Sequence, residues 1–382
     1  AWFDLVRSYG RGRVAALMHV RAMAALPYFL AGLQIAAPAA FLGAMVGEFT
    51  GAERGMGVLT VRAMRDRGDR MTWALAGVPT ALAGLAPAVG GAANGALAAV
   101  RGGLLKAPPP AILTPPGDTA AAGRGPVGRA VSVAGVTLAV LALWWAAVAL
   151  SGINPFFAKT PGDVLAALVW APDAAETRAA LGTALGQTAA FLVPGYLAGL
   201  VAGAGLAVLF VLAPVLAATA MPLAIALRSV PIVTTAPLIV LLAGRGAAGT
   251  IVLVAVMVFF PTLVACLHGL RQAPGQVLDV FDSYAAGPLQ RLVRVRLPAM
   301  LPAFFAAARV GVPASVLAVT VAEWLATGKG IGSLMALSAS LSDYDLLWSA
   351  VAVVTAVSAL GHAGVGLIEA RVLARYAPEQ LA

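Results

Sequence analysis

Of the 382 residues only 11% are charged, against 61% hydrophobic, and the side chains with nucleophilic, acid–base or metal-binding capacity are few and dispersed. His19, His268 and His362 have no carboxylate or cysteine partners at metal-ligand spacing. Cys266 is the single cysteine and lies in an apolar run. An intrachain disulfide and a cysteine zinc cluster are both ruled out, and the thiol is expected to be a small buried hydrophobe. The nearest approach to a phosphate-binding loop, Thr327-Gly328-Lys329-Gly330, lacks the leading glycine and the following hydroxyl. No serine stands in a nucleophile elbow. Neither enzymatic chemistry nor a cofactor is expected.

A second group of residues is notable for its setting. Arg228, Arg309 and Glu323 fall inside long apolar runs, where a charge costs about 2.5–3.5 kcal/mol on insertion scales and therefore needs a reason. Arg228, beside Pro231, is placed to face an anionic solute in a pathway, and Arg309 suits snorkelling, a helix-packing pair or a pore lining. Glu323 and its counterpart Glu48 suit a gate or interface role, or a structural hydrogen bond. Gln187 and Thr188 are weaker candidates of the same kind.

What must hold these residues is a helical membrane bundle. Soluble domains carry roughly 45–50% apolar and about 25% charged residues, and an excess of this size cannot be hidden in a water-soluble core. Apolar stretches of about 20 residues recur along the chain, each long enough to cross roughly 30 Å of hydrocarbon as a helix. A backbone in lipid must satisfy its own hydrogen bonds. In the second part of the chain, spans are expected near 131–150, 185–210, 219–242 (broken around Pro231), 250–270, 298–325 and 346–368. The segment 157–178 is too polar and interrupted to cross and suits a short interfacial helix on the outer face. The net charge of +9 is almost all arginine, with Lys106, Lys159 and Lys329 the only lysines. Arg124, Arg129, Arg271, Arg291, Arg294, Arg296, Arg371 and Arg375 then lie on the inner side, and Asp163, Asp173, Glu176, Asp343 and Asp345 on the outer. That is the positive-inside pattern, and it makes the bilayer, not nucleic acid, the partner of the basic residues.

The chain also repeats itself. Residues 4–59 align without a gap to 279–334 at a constant offset of 275. Asp4, Ser8, Tyr9, Gly12, Arg21, Pro27, Pro38, Glu48, Gly55 and Gly57 meet Asp279, Ser283, Tyr284, Gly287, Arg296, Pro302, Pro313, Glu323, Gly330 and Gly332, and Trp73 meets Trp348. Shared hydrophobicity does not align prolines, glycines and charges, so a duplication is expected. The organisation it implies is the C-terminal half of a first module over 1–103, a Pro/Gly-rich cytoplasmic linker over 104–127, and a complete second module of six spans over 128–382. The front of the first module would then precede Ala1.

The repeated block begins with an inner loop, Asp279 to Pro298, that is basic and amphipathic, with its acid first and its arginines toward the end, an order that suits a helix macrodipole. Its Asp279, the position six residues on, Leu297-Pro298 and Pro302 resemble the coupling-loop motif of binding-protein-dependent ABC permeases. The likeness is strongest to the nitrate, sulfonate, taurine and thiamine-precursor subgroup. The run through Arg309 to Ala322-Glu323, then Gly330-Ile331-Gly332, and upstream Leu227-Arg228-Ser229-Val230-Pro231 and Phe259-Phe260-Pro261, are similar to other motifs of that subgroup. Two departures stand out: Ala285 occupies the family's glycine position, which the first copy keeps as Gly10, and the first copy has Ala22-Met23 where the family has Leu-Pro.

The resemblance implies an all-α, polytopic, multi-pass protein of the plasma (inner) membrane with the ABC importer permease fold in two tandem modules. It implies an ATPase-coupling role for Asp4, Ser8, Tyr9, Gly10, Arg21, Asp279, Ser283, Tyr284, Ala285, Arg296 and Pro298, with Arg21 and Arg296 steadying the turn into the next span. Its partners would be a cytoplasmic ABC ATPase dimer, which hydrolyses the ATP, and an extracytoplasmic substrate-binding protein. A secondary transporter of parallel six-helix repeats also accounts for the spans. It is expected to keep ion-coupling acids near mid-membrane, and it gives the duplicated inner loop no task.

Overall fold

The computed structural model describes residues 48, 54–55, 58–59, 126–217, 244 and 246–376. The candidate residues Asp4, Ser8, Tyr9, Gly10, Arg21 and Arg228 and the expected span 219–242 lie outside them, as does the linker apart from its last two residues. Among the described residues there is no strand. The helices are α1 (Pro126–Ser151), α2 (Pro161–Val169), α3 (Ala174–Leu212), α4 (Ala247–Arg271) and α5 (Gly275–Ser283). They continue as α6 (Pro288–Ala322), α7 (Ile331–Ser340) and α8 (Tyr344–Tyr376). Five of them are long and apolar enough to cross a membrane: α1 over Val131–Ser151, α3, α4, α6 and α8.

The centre of this bundle is α4. Leu253, Val254, Val258, Leu263, Cys266, Leu267 and Leu270 are all at most 2% exposed, and Cys266 is the buried hydrophobe its surroundings predicted. Three glycines one helical turn apart on α3 allow the approach. A Cβ on Gly195 would meet Val254, one on Gly199 would meet the Ala255 carbonyl and Val258, and one on Gly203 would meet the Phe259 carbonyl and Thr262, all at 2.6–2.9 Å. Because the contacts advance together along both helices, α3 and α4 run the same way. The α4–α6 contacts run in opposite senses: Gly269 faces Met300 and Ala303, whereas Gly311 faces Val258. Where lipid is as apolar as leucine, close backbone approach and dispersion hold helices together, and small residues at the seam permit both. Tyr196 adds a polar tie, its hydroxyl donating to the Ala308 carbonyl at 2.8 Å.

Three spans are longer than composition suggested, α8 running to Tyr376 rather than 368, and the other two start early. Helix α3 starts at Ala174 rather than near 185, and α6 at Pro288 rather than 298. A hydropathy pattern reports the part of a helix in hydrocarbon, roughly 30 Å, but 39 residues at 1.5 Å each make about 58 Å. The ends of both helices therefore project beyond the apolar layer. The segment 157–178 accordingly divides into α2 and the first turn of α3.

The end of the bundle expected to face outward is tied down by side chains. Thr160 and Asp163 form a capping box at the start of α2, and those hydrogen bonds to Thr160 hold the Asp163 carboxyl below its usual range. Trp348 Nε1 donates to the Phe157 carbonyl at 2.9 Å, Trp348 stacks on Trp144, and Lys159 pairs with Asp345 at 3.0 Å. With Phe156, Phe157 and Tyr344 packed edge to face, the cluster has the composition of an interfacial aromatic belt.

Candidate functional site

The inner loop is not one helix but two with a turn between them. Helix α5 ends at Ser283, whose hydroxyl donates to the Val280 carbonyl at 2.7 Å. Tyr284 to Gly287 form the turn, and Pro288 opens α6. Ala285 sits at φ +49°, in the left-handed region. That conformation is what a glycine at this position supplies freely and an alanine only with strain. Within the basic, amphipathic stretch 279–298 the arginines thus belong to the base of a membrane-crossing rod, and the acid to a separate short helix.

Across the turn, the Arg291 guanidinium pairs with Asp282, and Arg291 Nε donates to the Ala286 carbonyl at 2.9 Å. Arg296, expected to steady this turn, is half-buried and makes no ion pair or side-chain hydrogen bond among the described residues. The turn is closed by Arg291 instead. Leu292 and Val295 bury the rod's base. Between them the helix widens into a π-turn, Leu292–Arg296, in which the Leu297 N–H reaches the Leu292 carbonyl. Pro298, lacking an N–H, follows directly, and a proline inside a helix removes one rung of its ladder.

Helix α5 itself buries no side chain. Asp279 is exposed on it, and so are Val277 and Val280, while Tyr284, just past its end, is 82% exposed. An apolar and aromatic face of this kind on a short helix outside the spans is suited to a protein partner.

Within the spans, Arg309 Nε meets Glu369 Oε2 at 3.0 Å, joining α6 to α8, and the Arg309 carbonyl lies 3.0 Å from His362 Nδ1. Of the roles open to Arg309, the structure shows the helix-packing pair. Glu369 was not singled out in the sequence, because it stands just beyond the apolar run that defines the span.

At the outer end, Glu323 is fully buried. It opens a second π-turn, Glu323–Thr327, which joins α6 to the loop before α7. Its Oε2 accepts from the Gly332 N–H at 2.9 Å and from the Thr188 hydroxyl at 3.0 Å. Thr188 in turn accepts the Ile331 N–H, and Gln187 Oε1 the Gly330 N–H, both at 2.9 Å. Glu323, Gln187 and Thr188, separately noted in the sequence, are therefore one cluster. Gly330, at φ +91°, packs against the Glu323 carboxylate so closely that a Cβ there would overlap it. Gly55, at φ +142°, stands in the same relation to Glu48.

These features define a multi-pass helical membrane protein in which the α6 span has an exposed two-helix turn at one end and a buried polar cluster at the other. Residues 195–374 match the family described as binding-protein-dependent transport system inner membrane component. A probable ABC transporter permease of Haemophilus influenzae is 33% identical over 44% of this chain and 66% of its own length. The riboflavin transport system permease protein of Chloroflexus aurantiacus is 30% identical over 43% of this chain and 58% of its own length. The taurine transport system permease protein of Escherichia coli is 26% identical over 65% of this chain and 91% of its own length. The chain thus spans just under two thirds of the first of these relatives and less of the second.

Proposed function

We propose that this chain is the translocation subunit of an ATP-driven importer, docking a cytoplasmic ABC ATPase dimer through the loops at 4–21 and 279–296 and taking its solute from an extracytoplasmic binding protein. The observation that carries the reading is α5: a short helix outside the spans, nothing on it buried and its apolar face uncovered, linked by an Arg291-closed turn to a 35-residue rod. A push on α5 would be delivered along α6 as on a lever, and a partner that changes shape with its nucleotide can shift such a two-state element. ATP hydrolysis belongs to the ATPase, and the permease does no chemistry.

The solute class is small and polar, of the nitrate, sulfonate, taurine or thiamine-precursor type, in keeping with the taurine permease to which the chain is similar. A second coupling loop at 4–21 follows from the duplication, which the matching Glu48–Gly55 and Glu323–Gly330 pairs support. The test uses the full-length protein co-expressed with its ATPase in proteoliposomes. Asp279→Arg and Asp4→Arg are expected to release the ATPase or uncouple its turnover. Uptake driven by an ion gradient, with no ATPase bound to the unaltered protein, would replace this reading with a secondary transporter.

A further inference from the structure

The start of a helix leaves N–H groups without partners inside the helix. In α7 the Gly330, Ile331 and Gly332 N–H groups are all satisfied, but none by a side chain of its own segment's N-cap, which is glycine. Two acceptors, Gln187 and Thr188, come from α3, and the third is Glu323 at the end of the α6 rod. Thr188 also donates to Glu323, and Ser333 of α7 donates to the Glu323 carbonyl at 2.7 Å. Glu323 Oε1 has no hydrogen-bond partner and is held against Gly330. A side chain at either glycine is excluded, since a Cβ at 330 would overlap this carboxylate and one at 332 would overlap the Thr320 carbonyl. Separating α7 from α3 would leave the Gly330 and Ile331 N–H groups without acceptors in a buried site and cost Glu323 its bond from Thr188, which is strongly unfavourable.

Resting on the permease reading, we infer that Glu323 is a positioning residue that latches the outer helix α7 to α3, so that the two move as one body. The π-turn Glu323–Thr327 and Gly328, at φ +65°, are the give between that body and the α6 rod. Tilting of α6 from its inner end is then expressed at the outer face as a change of angle across this turn. The latch is a hydrogen-bond acceptor and a carboxylate's charge is not what it uses. Glutamine, whose carbonyl can accept the same two donors, should serve in its place.

The test uses the full-length protein with its ATPase in lipid nanodiscs, comparing Glu323→Ala, Glu323→Gln and Thr188→Val with the unaltered protein. Amide exchange at residues 331–334 is expected to rise about tenfold or more in Glu323→Ala and in Thr188→Val, with α4 unchanged. Glu323→Gln should stay within about threefold of the unaltered protein. ATP turnover in the absence of binding protein should rise in Glu323→Ala while the ATPase remains bound, whereas a merely structural defect would lower turnover and yield together. Unchanged exchange in Glu323→Ala, exchange in Glu323→Gln as fast as in Glu323→Ala, or faster exchange without altered turnover would each overturn the inference. Failure of the unaltered protein to bind the ATPase would instead overturn the permease reading, and the exchange data would still report on the latch.

Discussion

Arg291 reaches back from the first turn of α6 to Asp282 near the end of α5, and one guanidinium thereby spans the turn between the two helices. Its Nε also occupies the carbonyl of Ala286, a buried residue at the turn's corner. Both partners of the ion pair are partly exposed, so the pair itself contributes only up to about 1 kcal/mol. Its effect should be on the angle of α5 more than on stability. Arg291→Ala is expected to speed proteolysis or amide exchange across 284–287 and weaken ATPase retention, with thermal stability in detergent almost unchanged. Arg296→Ala should leave the turn's exchange as it is.

Ala285 gives a prediction of opposite sign. At φ +49° an alanine is strained by about 1–2 kcal/mol relative to its right-handed conformation, while glycine adds unfolded-state entropy that offsets part of the relief. Ala285→Gly is expected to stabilise the protein by about 0.5–1 kcal/mol, measured by denaturant unfolding in detergent. An equal or lower stability would show that the turn relaxes out of the left-handed region.

The α3–α4 seam predicts a contrast between glycines on one helix. Gly199→Ala forces a methyl against the Ala255 carbonyl and Val258 and should destabilise by about 1–3 kcal/mol. Gly205→Ala, where the added Cβ meets nothing within 4 Å, should be neutral or slightly stabilising, since alanine is the better helix former. Thermal melting of the two purified variants side by side checks this.

Much of this was legible in the sequence, and the exceptions share a physical cause. Apolar runs showed where helices cross, because burial in lipid acts on every residue of a span. They did not show that α3 begins at Ala174, since its start is held by contacts such as the Arg178 guanidinium donating to the Leu168 carbonyl, not by hydrocarbon. The position of Ala285 in the family motif marked a special backbone site, but its split of the loop into α5 and α6 appears only when φ is known. Thr188 and Glu323 were noted apart, and with 135 residues between them nothing local says that they touch.

The capping box at the outer rim predicts a pH dependence. The Asp163 carboxyl lies below its ordinary value because it accepts from the Thr160 backbone and side chain. A group depressed in the folded state contributes stability that is present above its unfolded value, about 3.9, and lost as pH falls through the lower folded value. Amide protection at the start of α2 should therefore hold at neutral pH and decline below about pH 4. Thr160→Ala should raise the Asp163 titration toward its ordinary value, read by carboxyl resonances in a detergent-solubilised sample.

The claim that α5 is the docking element for the ATPase is tested most directly at Tyr284, its most exposed aromatic neighbour. A photo-reactive phenylalanine analogue placed at 284 in the full-length protein, co-expressed with its ATPase in membranes, would be irradiated and the adducts identified by mass. The account predicts a cross-link to the ATPase subunit that weakens when Asp279→Arg is added. A label that reaches only lipid or water, in membranes where the ATPase is bound to the transporter, would contradict it.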